Sequence, residues 1–281
     1  MTTQIVSLEL QRWIDEQTAN GVAAEAVLEA MITSGWRREV ARGALRAALE
    51  AQQKAQRESS VAPAHLPEPQ VAEGAHRVAA GDREVLIVST LRAPRVIVFA
   101  DLLAADECDE LVALARERLA RSETVHSETG GTEINTARTS DGMFFARAEN
   151  ALVGRIEARI AVLLNWPVDH GEGLQVLRYS LGAEYRPHYD YFDPADPGTA
   201  LLLRRGGQRV ASLVMYLNTP PRGGATTFPD AGFAVAARRG AAVFFSYDRP
   251  HPDTRTLHGG APVLEGEKWV ATKWLRAGRF D

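Results

Sequence analysis

A single cysteine, Cys108, is the only thiol in 281 residues. An internal disulfide is therefore excluded, which fits a reducing compartment and an expected cytoplasmic location. Cys108 falls in a helical stretch from Asp106 to Leu119, where it reads as a half-buried structural thiol. Long apolar runs are missing too. No segment approaches the roughly 18 consecutive apolar residues of a membrane-spanning helix, so no membrane partner is expected. The N-terminal residues include Glu9, Asp15 and Glu16 and have no apolar run of leader length. A large excess of charge of one sign is missing: the formal net charge is -4 and the pI near 6.0, giving no bulk attraction to nucleic acid. Arg204, Arg205 and Arg209 are the candidate local basic patch. What is present, 45% hydrophobic and 24% charged residues, suits a globular chain with a substantial core.

The chain divides by composition. Residues 1–51 read as a small helical domain. Leu10, Trp13 and Ile14 share a face before Gly21; Val27, Leu28, Met31 and Ile32 form a second before Gly35; Val40, Ala41, Ala44, Leu45 and Ala48 form a third stripe. This unit resembles a ubiquitin-associated-type bundle around Met31 to Ala44, the alternative being a plain helical appendage for dimerisation or solubility. Residues 52–83, rich in Ala, Gln and Glu with Pro63, Pro67 and Pro69, read as a linker. Residues 84–281 read as the main domain. A strand is expected at Val96–Phe99, with helices at Leu102–Leu119 and Glu149–Leu164. Short strands follow at Leu174–Ser180, Val210–Asn218, Phe233–Ala237, Ala241–Tyr247 and Lys268–Arg276. Helices followed by many short strands predict an α+β class with the strands in a sandwich or barrel.

The segment Tyr185 to Phe192 contains His188-Tyr-Asp190. Residues two apart on an extended chain face the same way, so both side chains can grip one ion, and one further histidine would complete the two-His, one-carboxylate set of non-haem iron(II). His251-Pro-Asp253 has the same spacing, but it lies between prolines in a turn-like stretch and reads as a solvated loop. After His188 come His258 and then Lys268. Alternation on the last strand puts Lys268, Val270, Thr272 and Trp274 on one face. An inward lysine needs an anion, because an unpaired buried ammonium is costly; an exposed lysine is the alternative. Lys273 lies on the opposite face, where substitution is expected to be tolerated.

From about Val96 to Arg276 the chain resembles the catalytic domain of prolyl 4-hydroxylases. The match runs through Arg138-Thr-Ser140, Leu177-Arg-Tyr179, Tyr185-Arg-Pro-His-Tyr-Asp190, Gly206-Gly-Gln-Arg209 and Met215-Tyr-Leu217. It continues through Gly223-Gly224 with Thr226, His258-Gly-Gly-Ala-Pro-Val263, Gly266-Glu-Lys-Trp269 and Lys273-Trp274. The resemblance implies a double-stranded β-helix (jelly-roll) with flanking helices, and iron(II) on His188, Asp190 and His258. It implies that Lys268 holds the distal carboxylate of 2-oxoglutarate, with Tyr179 and Thr226 as further contacts to that co-substrate. Arg209 and Trp274 match substrate-binding positions. Core aromatic packing is the alternative for Tyr179 and Trp274, and a surface charge for Arg209. Two positions depart from the pattern: Ala225 stands where Glu is frequent, and Ser212 where Thr is usual.

The implied activity is a dioxygenase that uses molecular oxygen to hydroxylate prolyl residues of a peptide or protein at C4, with ascorbate as reductant. The alternatives are hydroxylation of another side chain or a small molecule at the same iron, or a peptide-binding module without turnover. The polar, Gly-containing segments Thr124–Asn135 and Asp193–Arg205 read as covers over a substrate groove.

Overall fold

The computed structural model describes residues 6, 8–19, 22–60, 65–72, 74–122, 124–125, 131–133 and 137–281. They form two compact units: Met1–Val61 with Val125–Thr132 and Asp193–Arg204, and Ala62–Thr124 with Glu133–Phe192 and Arg205–Asp281. Among the described residues no helix is long and apolar enough to cross a membrane.

The first unit is built on α1 (Leu8–Ala19), α2 (Ala24–Thr33) and α3 (Arg38–Ser60). The expected stripes meet in one core of Ile14, Val27, Leu28, Met31, Ala41, Ala44, Leu45 and Ala48, with Leu10, Trp13 and Ile32 packed on it. Gly35, at φ +90°, ends the turn after α2, a conformation that costs glycine little. Gly21 lies outside the described residues. The stretch read as a linker starts inside α3, which continues to Ser60, and ends in a sheet strand, Arg77–Ala79. Of the two segments read as covers, 124–135 lies largely outside the described residues. Of the other, Asp193–Arg205, the residues Asp193–Arg204 group with the helices; they contain a short helix, Thr199–Leu203, that packs on α3, and Arg204 pairs with Asp15 at 3.2 Å.

The second unit contains β1 (Arg77–Ala79), β2 (Glu84–Leu91), β3 (Arg95–Ala100), α4 (Ala105–Arg116), β4 (Ala120–Arg121), β5 (Asp141–Phe145) and α5 (Ala151–Leu164). There follow β6 (Leu174–Tyr179), β7 (Tyr185–His188), β8 (Arg209–Tyr216), β9 (Thr226–Phe228), β10 (Phe233–Val235), β11 (Ala242–Ser246), β12 (His258–Gly260) and β13 (Lys268–Arg276). Nine strands form one sheet in the order β1-β2-β3-β11-β8-β13-β6-β5-β4, and four form a smaller one in the order β10-β9-β12-β7. This is the jelly-roll of an α+β protein.

Side-chain alternation sets the layers. Ile97 and Phe99 of β3, with Trp269, Ala271 and Leu275 of β13, pack under Cys108, Leu111 and Ala115 of α4 and Ile156, Ile160 and Leu163 of α5. Val96 and Val98, with Leu177, Tyr216, Val243 and Val270, face the smaller sheet through Phe228 and Val235. The large sheet is therefore covered on both faces, and every residue of β13 is buried.

This double cover overturns one expectation. Lys273 does occupy the opposite face from Lys268, but α5 lies over that face, leaving Lys273 2% exposed with its Nζ 2.5 Å from Glu157 Oε1. The helix expected over Leu102–Leu119 starts later, because Glu107 reaches back to accept the Ala104 N–H at 2.9 Å and fixes the start there. The strands β2 and β5 were not foreseen. An Asp-Gly pair opens β5, and the packing at Gly142 is close: a Cβ there would come 2.7 Å from Leu177 Cδ2 and 2.8 Å from Ser122 Oγ.

Candidate metal and co-substrate site

His188 ends β7 and His258 begins β12, and these strands pair so that the two histidines are direct cross-strand partners. Their ring centroids lie 4.3 Å apart. Asp190, two residues beyond His188, puts Oδ1 3.5 Å from His188 Nε2 and Oδ2 3.5 Å from His258 Nε2. One ligand atom from each of the three residues falls within 4.8 Å of the others, the only such cluster among the described residues. His251 and Asp253 approach each other to 3.2 Å on an exposed loop and gather no third ligand there.

The protonation states suit a cation. His188 Nδ1 lies 2.9 Å from the Arg186 carbonyl and His258 Nδ1 3.0 Å from the Thr256 carbonyl. A carbonyl only accepts, so each Nδ1 carries a proton, and Nε2 is the ring atom turned toward Asp190. Burial pulls His258 down to about 4, so this imidazole is neutral near pH 7. Burial opposes ionisation of Asp190 as well, but His258, His188 and Arg209 outweigh it and hold the carboxyl well below its usual range. Two imidazoles and one carboxylate on one side form the donor set that non-haem iron(II) takes.

The cavity that holds the three ligands is also lined by Lys268, Tyr179, Thr226 and Trp274. Lys268 pairs across the sheet with Tyr179 and sits 3% exposed, its Nζ 5.1 Å from the Tyr179 ring centroid. Among the described residues no carboxylate lies in salt-bridge range of it, and burial alone draws its ammonium down to about 8. Space is kept around it by glycines: a Cβ on Gly224 would stand 3.0 Å from Lys268 Cδ, and one on Gly260 would stand 3.6 Å from Nζ. The Thr226 hydroxyl accepts a 2.8 Å hydrogen bond from Tyr216. A buried cation with room beside it, in the cavity of the metal ligands, fits an acid that reaches from ion to lysine.

Seven of the eight residues singled out in the sequence thus line one cavity, and Arg209 does not. Nor does Arg209 belong to a surface basic patch. Its guanidinium is held by Glu172 at 2.6 and 2.9 Å, donates to the Asp190 carbonyl at 3.4 Å and lies 4.1 Å over the Trp274 ring. Glu172 was missed by the sequence reading. It pairs with both Arg209 and Arg276, and an acidic residue between two glycines carried no signal of that role. Arg138 also lines the cavity, 4.9 Å from the Tyr185 ring and donating to Gln175 at 2.8 Å; its Arg-Thr-Ser motif was noticed without a role.

The profile of the 2OG-Fe(II) oxygenase superfamily matches residues 174–276, which spans all of these ligands. Probable prolyl 4-hydroxylase 3 of Arabidopsis thaliana is 39% identical over 208 residues, covering 66% of this chain and 71% of that protein. Prolyl 4-hydroxylase 1 of the same plant is 41% identical over 219 residues, covering 69% and 75%. The viral collagen prolyl hydroxylase of Paramecium Bursaria Chlorella virus-1, solved as its 2OG complex, matches with a TM-score of 0.51 at 28% identity, over 64% of this chain and 95% of that one. Identity at this level over most of the length of its relatives, on a shared fold, makes this chain a member of the prolyl 4-hydroxylase family of 2OG-Fe(II) oxygenases.

Proposed function

We propose that the protein hydroxylates prolyl residues of a peptide or protein at C4, using iron(II), 2-oxoglutarate and molecular oxygen. The observation that carries this reading is the buried Lys268 ammonium, which has no carboxylate in salt-bridge range among the described residues and shares a cavity with the His188, Asp190 and His258 cluster. In this reading the three ligands hold the iron, Lys268 takes the distal carboxylate of the co-substrate, and Tyr179 and Thr226 flank it. Iron and 2-oxoglutarate, when bound, would supply the oxidation, coupling decarboxylation of the 2-oxo acid to insertion of an oxygen atom into a C–H bond. The chain's own residues bind, orient and exclude water; no side chain is assigned as a general base. Trp274 is 7% exposed, and its indole Nε1 has no hydrogen-bond partner among the described residues, which supports a role as donor to a substrate carbonyl. Arg209, stacked on that ring, would hold Trp274 in place.

The peptide substrate is supported by the relatives, which are named as prolyl hydroxylases. Ascorbate as reductant rests on the family resemblance, and a cytoplasmic location on the single cysteine. The test is to incubate the full chain with iron(II), 2-oxoglutarate and a library of proline peptides. The expected result is one oxygen gained on proline by mass spectrometry, with matching succinate. Oxygen on a different side chain would overturn the substrate, and no succinate with any peptide would overturn the activity.

A further inference from the structure

We propose that Ser212 and Tyr247 form a relay that commits one oxygen of Asp190, so that this carboxylate binds a metal through its other oxygen alone. The inference rests on the metal reading above and adds positioning residues to it. Ser212 lies in the middle of β8, fully buried, with Oγ 2.5 Å from Asp190 Oδ2. Tyr247, 2% exposed just past β11, puts its hydroxyl 3.1 Å from the same Oγ.

The direction of the chain follows from counting protons. An ionised carboxylate only accepts, so Ser212 gives its single proton to Oδ2. Its Oγ can then only accept from Tyr247, which makes the sequence Tyr247 O–H to Ser212 O–H to Asp190 Oδ2. Burial keeps the Tyr247 phenol far above its ordinary range, so it stays a donor. The ring is fixed by Phe245 and Tyr191, at 6.3 and 6.1 Å between centroids.

Two consequences follow for the carboxylate. Oδ2 carries a charge-assisted hydrogen bond, so Oδ1, which faces His188 Nε2 at 3.5 Å, remains the stronger donor to an ion. A carboxylate tied in this way cannot swing to chelate with both oxygens, and a coordination position is kept for co-substrate or oxygen. Serine leaves χ1 at position 212 freer than a β-branched threonine would, and the Tyr247 hydroxyl supplies a restraint.

Co(II) serves as the probe, titrated without oxygen into wild type, S212A, S212T and Y247F. Its visible d–d absorption reads both affinity and coordination number, and the thermal unfolding of the metal-free proteins checks their folding. Expected are about tenfold weaker Co(II) binding in S212A with a shifted spectrum, and near wild-type behaviour in S212T. Y247F should lose roughly threefold. Wild-type affinity and spectrum in S212A would overturn the relay while leaving the metal site intact. Wild-type protein that takes up no Co(II) would instead overturn the metal reading on which the relay stands. If S212A does not fold, wild-type affinity and spectrum in Y247F overturn the relay, and weaker binding there with S212T unchanged supports it.

Discussion

Lys268 and Lys273 lie on one strand, β13, and both are almost fully buried, at 3% and 2% exposure. They differ in what the fold supplies to each. Lys273 points under α5, where Glu157 and the Glu172 carbonyl receive its ammonium and Glu157 also accepts the Ala148 N–H at 2.8 Å. Lys268 points between the sheets toward an aromatic ring, two glycines and the metal ligands, with no carboxylate in salt-bridge range among the described residues. Burial draws both ammoniums down, and Glu157 offsets part of this for Lys273 only. The helix-covered side of the sheet therefore closes its charges internally. The side facing the small sheet leaves one buried ammonium without a carboxylate in salt-bridge range among the described residues, which supports the proposal that an incoming acid completes it.

Removing ligands from the open side should produce the largest effect on function and little on folding. His188→Ala, Asp190→Ala and His258→Ala should each abolish iron-dependent succinate formation, while circular dichroism and melting stay close to wild type. A ligand variant that retains turnover would end the distinction between the two sides.

The closed side should respond in the opposite way. Glu157→Ala leaves the Lys273 ammonium buried beside the Glu172 carbonyl alone, and urea unfolding should show a loss of about 3–5 kcal/mol. Replacing both partners, Glu157→Leu with Lys273→Met, should recover most of it, because a packed apolar pair replaces an ion pair at small net cost. A destabilisation within experimental error for Glu157→Ala would mean that the pair is not a structural closure.

A pH experiment sharpens the comparison further. Burial sets the folded-state value of Lys268 at about 8, below the 10.5 of an exposed lysine. Between these values the unfolded chain holds a proton that the folded chain has released, so this group makes stability rise as pH rises from about 8 to 10.5. Subtracting the profile of Lys268→Met from that of wild type isolates the contribution. Saturating 2-oxoglutarate should flatten the difference by holding the ammonium charged. A difference that falls with pH would contradict the unpaired state of Lys268. The smallest effect is expected at the second His-x-Asp: His251→Ala and Asp253→Ala should leave succinate formation unchanged, since those side chains are 57% and 71% exposed.

The legible part of the molecule was the part governed by local pattern. Alternation put Lys268, Thr272 and Trp274 on one face of β13, and all three line the cavity. Helical stripes found the core of α1 to α3. The His188-Tyr-Asp190 spacing needed only an extended chain. What stayed hidden depends on elements distant in sequence. Whether the face carrying Lys273 is wet or dry is decided by α5, which lies more than a hundred residues earlier, so periodicity could assign the face but not its burial. Glu172, Ser212 and Tyr247 make their side-chain hydrogen bonds to residues distant in sequence and leave no spacing signature. Asp193–Arg205 was read as a cover, whereas Asp193–Arg204 groups with the N-terminal helices through contacts distant in sequence.

The most direct measurement is titration of 2-oxoglutarate into the iron(II)-loaded protein without oxygen, comparing wild type, Lys268→Ala and His251→Ala. A charge-assisted hydrogen bond to a carboxylate contributes about 1.5–3 kcal/mol, so Lys268→Ala should bind iron normally yet need roughly 10 to 100-fold more 2-oxoglutarate. His251→Ala should match wild type. Equal affinities in all three proteins would contradict the assignment of Lys268 to the co-substrate.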